Sequence, residues 1–349
     1  MRILIVKLSS IGDVIHTLPT LAAIKKSLPD AEISWVVENR SAEILRNNPL
    51  LDELIEIDTK ALRSKNLFGG KLKSAQKQFK NLRENKFDLT IDFQGLLKSA
   101  SMAKISKAKK RYGFSKQNLR EPASRIFLSK TIDVELKQNI IYKNLQLAEK
   151  SLQHFLNDKN FKLDKENPEF SIATDETHKQ EAEKIIEQTG ENFAILNPAG
   201  GWVTKLWHTE KYGELADKLW NDLQMVSVIS TAPNEIDLAK KVLENSKSGK
   251  TISAQPTLKG FYELAKQTKI YIGGDTAPTF LAVAGKCPVV GIFGPTEWWR
   301  NGSINPDDIC VERNDINCRI DCHRRTCDKW ICMDISVETV FDAIVKRLK

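Results

Sequence analysis

The chain has 349 residues, 41% hydrophobic and 28% charged, with 17 Gly and 12 Pro; this is ordinary globular composition at a length that suggests two domains, each able to bury a core. Net charge is +8, but residues 1–150 carry 28 Lys+Arg against 16 Asp+Glu while the remainder carries 25 against 29, which excludes a uniformly basic scaffold. No run approaches the roughly 18 apolar residues of a membrane span, and Lys7 and Asp13 interrupt the opening apolar stretch that a secretory signal needs.

Residues 3–6 read as a buried strand, followed by Val14, Leu18, Leu21 and Ala22 on one face of a helix. In the loop between them Gly12 permits a tight turn. Asp13 stands at the helix start, where an aspartate either caps the helix or offers a carboxylate at the mouth of the sheet. Strands are predicted at 33–37, 89–92 and 111–114, so strand and helix alternate as in a parallel sheet. Two basic runs lie among them. Residues 59–83 hold eight Lys/Arg and no acid, and residues 98–130 hold ten against Glu121 alone. Such runs are either a solvated lysine face or a surface for an anionic partner, with Arg63, Lys65 and Arg120 as the named contacts. Nucleic acid is not expected, because few aromatics accompany the charge.

From 155 to 185 the chain turns polar around Pro168, the best linker, and the first domain is taken as residues 1–165. A second α/β series, 166–335, has strands at 193–196, 226–230, 270–272 and 289–293. Tyr212, Leu215, Ala216 and Leu219 form a helical stripe that reads as core, as do Leu258, Phe261, Tyr262 and Ala265. Two doubly wound domains facing one another would place a cleft at the C-terminal ends of their strands, where such sheets bind ligands.

Three strand ends in the second series carry glycine turns: Pro198-Ala199-Gly200-Gly201 followed by Lys205, then Gly273-Gly274-Asp275-Thr276-Ala277 opening a helix, then Gly294-Pro295-Thr296. Paired glycines let backbone amides approach an anion, and a helix start presents free N–H groups. One such turn is common; three in one domain point to a phosphorylated ligand. Asp275 would repel phosphate and reads better as a helix cap or a partner for a sugar hydroxyl. The chain lacks GxG, Walker and DxD patterns, so a metal-independent diphosphate site of amides and Lys205 is what remains.

Five of the six cysteines follow residue 309, unlike the scatter of a secreted disulfide scaffold, which favours a cytoplasmic enzyme. Cys287 and Cys310 read as core. Cys318, Cys322, Cys327 and Cys332 lie in a polar segment, within a cysteine-rich stretch spanning 310–332, where four thiolates could hold structural zinc or iron, form disulfides or stay reduced. A last amphipathic helix spans 337–348.

The opening MRILIVKLSSIGDVIHTLPTLAAIKKSLPDAEISWVVE, IDFQGLLKSA at 91–100, LREPAS at 119–124, the Lys205-Leu206-Trp207-His208 segment and GGDTAPT at 273–279 together resemble the lipopolysaccharide heptosyltransferases of glycosyltransferase family 9, most closely the heptosyltransferase I type. The resemblance implies a GT-B fold, two Rossmann-like doubly wound domains facing a central cleft. It implies inverting transfer of heptose from ADP-heptose to a Kdo sugar of the inner core, with no cofactor required for catalysis. Asp13 would be the base. Gly200, Gly201, Lys205, Glu235, Asp275, Thr276 and Ala277 would bind the donor, and Ser10, Gly12, Arg63, Lys65, Gln94 and Arg120 the acceptor. Kdo-lipid A or a related anionic glycolipid would be the partner, met at the cytoplasmic face of the inner membrane. The terminal helix, 336–349, would pack back on the first domain. Gly200, Gly201 and Phe280 depart from the hydroxyl residues and histidine common in the family, so donor contacts made there by side chains are lost or fall to the backbone. Heptosyltransferase II, a protein-directed heptosyltransferase, and a non-catalytic nucleotide-sugar binder are the alternative readings.

Overall fold

A computed structural model describes residues 1–59, 79–320 and 322–349; Arg63 and Lys65 lie outside the described residues. The chain divides into two units, Met1–Ala173 and Thr174–Lys349. In the first, β1 (Arg2–Val6), β2 (Glu32–Glu38), β3 (Glu53–Ile57), β4 (Leu89–Asp92), β5 (Lys110–Phe114) and β6 (Lys130–Ile132) form one sheet in the order β3-β2-β1-β4-β5-β6. In the second, β7 (Phe193–Asn197), β8 (Val226–Ser230), β9 (Thr251–Ala254), β10 (Ile270–Gly273), β11 (Val289–Ile292) and β12 (Ile309–Val311) follow the order β12-β11-β10-β7-β8-β9. Every pairing is parallel.

Numbered within its own unit, each sheet has the doubly wound order 3-2-1-4-5-6. The strand order reverses between β1 and β4 in one sheet and between β7 and β10 in the other. Loops leaving those four strands part to opposite faces and leave a crevice at the strand ends. The central strands read as unbroken apolar runs because helices cover both faces: Ile3, Leu4, Ile5 and Val6 are all fully buried.

The eight strands predicted from sequence are the eight interior strands. The helix predicted after β1 is instead two, Ile11–Ile15 and Leu18–Ser27, with Pro19 in the first turn of the second. Asn144, from the helix Ile140–Leu156, bridges the break by donating its amide to His16 O at 3.3 Å and to Thr17 Oγ1 at 3.1 Å. The predicted polar linker ends earlier than expected, in the helix Glu176–Thr189, whose N-cap Asp175 accepts from His178 N–H.

The C-terminal helix Val337–Leu348 belongs to the second unit. It packs in its own unit, on β11, β12 and the helix Thr209–Leu223, with Val340, Phe341 and Ile344 buried. Arg347 fixes its far end through a 2.8 Å ion pair to buried Asp308 beside β12. No helix among the described residues is long and apolar enough to cross a membrane.

Candidate active site

Each unit assembles a cluster at its own strand-order reversal. In the first unit Lys7 follows β1 directly, and its stem stays in the apolar surroundings of the strand. Its buried ammonium donates to Phe93 O at 3.0 Å, just past the end of β4, and lies 3.6 Å from Asp13 Oδ1. Asp13 is the third residue of the helix Ile11–Ile15. Its Oδ2 accepts from both the Ser10 N–H and the Ser10 hydroxyl at 2.9 Å, the reciprocal half of a capping box. Capping and a carboxylate at the sheet's mouth are therefore one arrangement: Oδ2 serves the helix and Oδ1 faces Lys7. Desolvation pushes the carboxyl up. The Lys7 ammonium, the two Ser10 hydrogen bonds and His16 outweigh it and hold Asp13 below the ordinary carboxylate value. The side chain nevertheless stays 43% exposed, so an ionised carboxylate is open to a ligand.

Gln94, which follows β4 by two residues, clamps this loop. Its Oε1 accepts from Leu8 N–H at 2.7 Å and Ser9 N–H at 3.1 Å, while its Nε2 donates to Ser9 O. The amide expected to meet an acceptor is thus largely spent on holding the loop. Gly12 stands inside the helix Ile11–Ile15 rather than in a tight turn, and Ser10 is its N-cap. Arg120 is exposed beyond β5, beside Glu121, whose carboxylate accepts from Leu97 N–H at 2.8 Å and so serves the start of the helix Leu97–Ile105.

Asp92, the last residue of β4, is 1% exposed. Burial pushes its carboxyl up to about 6, against the hydrogen bonds from Gln94 N–H, Gly95 N–H and the Ser99 hydroxyl and the charge of Lys7. Because the folded value lies above the unfolded 3.8, folding favours the protonated form. That contribution is fully present below pH 3.8 and is lost as pH rises through about 6. Asp92→Asn should flatten the pH dependence of unfolding in this window. Denaturant melts of both proteins at pH 4 and pH 7 measure it, and identical slopes would contradict the assignment.

In the second unit the loop after β7 and the loop after β10 meet. Lys205 Nζ is 2.5 Å from Asp275 Oδ2 and donates to Asp275 O at 3.3 Å; the two side chains are only 12% and 7% exposed. Asn301 adds a contact to the same carboxylate oxygen at 3.4 Å. Asp275 is therefore an ion-pair partner, and Thr276 occupies the N-cap of the helix Ala277–Ala284. The loops can meet because residue 274 is glycine: a Cβ there would stand 3.3 Å from Lys205 O and 3.4 Å from Ile292 O, both backbone atoms. At Gly200 a Cβ would crowd only the mobile end of the Leu206 side chain, 2.9 Å from its Cδ2, and Gly201 faces open space. Glu235, before the helix Ile236–Asn245, accepts from Ala232 N–H at 3.2 Å. First-turn amides at Ala277, with the buried lysine beside them, suit an anionic group.

The cysteine segment lies against these loops. Thr204 donates its hydroxyl to Arg324 O at 2.6 Å, Trp330 Nε1 donates to Thr204 O at 3.1 Å, and His323 N–H donates to Pro295 O at 3.0 Å. Gly294 lets the segment approach, since a Cβ there would stand 2.3 Å from Met333 Sδ and 3.2 Å from Cys332 Sγ. Arg319, buried, anchors it to Gly294 O at 3.1 Å and to Glu312 at 2.5 Å. All six cysteines are free. Burial pushes the Cys332 thiol up, and the three other cysteines of the segment add to that; Cys327, accepting N–H bonds from Trp330 and Lys329, is held down. Among the described residues no group of three or more His, Cys, Asp or Glu could hold a metal ion, so the four thiols do not form a ligand set as they stand. Of the residues in these clusters, sequence reasoning missed Lys7, Asp92, Asn301 and Trp202, whose ring centroid lies 4.3 Å from the Lys205 ammonium. Lys7 alone left a signal, a lysine directly after the apolar run of residues 3–6.

A family model described as glycosyltransferase family 9 (heptosyltransferase) matches residues 75–331. Lipopolysaccharide heptosyltransferase 1 of Campylobacter coli is 28% identical over 307 residues, 86% of this chain and 86% of that protein. The structure of E. coli heptosyltransferase WaaC with ADP-2-deoxy-2-fluoro heptose superposes with a TM-score of 0.76 at 23% identity, covering 99% of each chain. That of E. coli ADP-heptose lps heptosyltransferase II superposes with a TM-score of 0.75 at 16% identity, covering 100% of this chain and 98% of the other. Both share the GT-B fold with this chain.

Proposed function

Since the chain belongs to glycosyltransferase family 9, we propose that it transfers a heptose, with inversion, from ADP-heptose to a Kdo sugar of the lipopolysaccharide inner core. The observation that carries this reading is Asp13: an ionised, half-exposed carboxylate fixed at the strand-order reversal of the first unit. In the proposed reaction an acceptor hydroxyl oxygen attacks the anomeric carbon of the heptose. The bond from that carbon to the phosphate oxygen breaks, its electron pair leaves with ADP, and the hydroxyl proton passes to Asp13. The low pKa suits a base that acts late, because the hydroxyl becomes acidic only as its bond to carbon forms. Lys7 positions and polarises the carboxylate, and Gln94 holds the loop that bears it.

The donor diphosphate is assigned to Lys205, the glycine turn at Gly200 and Gly201 and the first-turn amides from Thr276 and Ala277, with Asp275 orienting the lysine and Glu235 on the nucleoside side. Side chains and amides supply the positive charge, so the reaction as proposed calls on no cofactor. A structural zinc or iron on Cys318, Cys322, Cys327 and Cys332 requires those thiols to draw together from where they stand; metal analysis of anaerobically purified protein decides it, one equivalent in favour and none against.

An anionic glycolipid acceptor is supported by the exposed cations Lys104, Lys107, Lys110, Lys116, Arg120 and Arg125 of one basic stretch of the chain, in which Ile126, next to Arg125, is 70% exposed. Basic groups beside an exposed apolar side chain suit peripheral attachment to the anionic, cytoplasmic face of a membrane. The test is ADP release with a panel of nucleotide heptoses and Kdo-lipid A acceptors. Turnover with ADP-heptose and a Kdo acceptor is expected; turnover only on heptosylated core, or none on any acceptor, would overturn the reading.

A further inference from the structure

The charge of Lys205 is shared with Asp275. Their ion pair is nearly buried, so the carboxylate offsets part of the positive charge that the lysine offers a diphosphate. A departing nucleoside diphosphate, however, gains a full negative charge, and fixed cations aimed at it lower the barrier. The helix start at Ala277 supplies only partial charges, and Pro278 removes one of its N–H donors.

A second full cation stands beside this pair. Trp202, in the same loop as Lys205, has the Lys205 ammonium 4.3 Å from its ring centroid and the Arg325 guanidinium 5.3 Å from that same centroid. Arg325 is exposed. Its backbone is not free to drift, because the bonds from Thr204 to Arg324 O, from Trp330 to Thr204 O and from His323 to Pro295 O pin the segment to the loops after β7 and β11. The guanidinium is thus held at the strand-order reversal of the second unit, on an aromatic platform shared with the buried lysine. An arginine there offers the flat fork of donors that matches two phosphate oxygens.

We propose that Arg325 is the second cation of the donor site, binding the diphosphate of the nucleotide sugar and taking up the charge released as ADP leaves. This assignment rests on the donor reading given above. The cysteine segment then has a task in catalysis: it delivers the arginine.

Titration calorimetry of the full-length protein with ADP and with adenosine tests it. Arg325→Gln should weaken ADP binding on the order of tenfold or more, the usual scale for a lost charge-assisted hydrogen bond, and leave adenosine affinity unchanged. Arg325→Lys should recover part of the loss by restoring charge without the fork. In transfer assays the glutamine variant should raise KM for the donor and lower kcat. Equal ADP affinity in Arg325→Gln and wild type would overturn the assignment. So would an equal loss for ADP and adenosine, which marks a purely structural role. Wild-type protein that binds no ADP would defeat the donor reading itself, a result distinguishable from wild type that binds ADP without using Arg325.

Discussion

Asp13→Asn is expected to lower kcat for heptosyl transfer by at least about 100-fold, the lower end of what a positioned general base contributes, and to leave ADP affinity unchanged. Asparagine is the informative replacement because its Oδ1 can still accept from Ser10, as the carboxylate does at 2.9 Å, so the helix keeps its cap and the loop its shape. What disappears is the ability to take a proton. Lys7 then loses the charge that faces it at 3.6 Å and keeps its bond to Phe93 O. The pH profile gives a second check. With the Asp13 carboxyl held below its usual value by Lys7 and Ser10, the base is already ionised well into the acid range. The acid limb of kcat that Asp13 sets should therefore lie below the ordinary carboxylate range, and Lys7→Met should move it upward. Wild-type turnover in the asparagine variant would remove Asp13 from the mechanism.

Lys205→Met should nearly abolish donor binding and destabilise the protein together. Methionine matches the aliphatic stem but leaves the Asp275 carboxylate, 7% exposed, with the Asn301 amide at 3.4 Å as its remaining side-chain contact. Removing one partner of a buried ion pair typically costs about 3–5 kcal/mol, because the other charge stays behind. The double variant Lys205→Met/Asp275→Asn separates the two effects. It removes the stranded charge, so the unfolding midpoint should return most of the way to wild type, whereas ADP affinity and transfer should stay lost. Denaturant melts and calorimetric titration of the three proteins decide it. Recovered ADP affinity in the double variant would show that the lysine serves only the fold.

The sequence announced the interior of both sheets and little of their margins. β1, β2, β4, β5, β7, β8, β10 and β11 are the strands with neighbours on both sides, and burial on both faces demands the apolar runs that make a strand readable. β3, β6, β9 and β12 are edges. Their sequences ELIEI, KTI, TISA and ICV are short, and three of the four carry charged or polar residues, as edge strands often do to discourage pairing with another chain. The same logic divides the site. Asp13, Lys205 and Asp275 were legible because glycine turns and a polar residue at a strand end leave local marks. The Gln94 clamp was not, since its partners Leu8 and Ser9 lie some 85 residues away in the chain. Nor was the pairing of Lys205 with Asp275, 70 residues on, which turned a supposed phosphate repeller into the lysine's anchor.

The contacts described above for each cluster come from its own unit: Lys7 and Ser10 for Asp13 in the first, Asp275 and Trp202 for Lys205 in the second. Repetition of one strand order in two units therefore separates inheritance as well as labour. On the roles proposed above, substitutions that redirect the enzyme to another acceptor can accumulate in the first unit without disturbing the diphosphate grip, and a change of nucleotide sugar can arise in the second while the base stays as it is. Chimaeras joined near residue 173 should keep each specificity with the half that brings it.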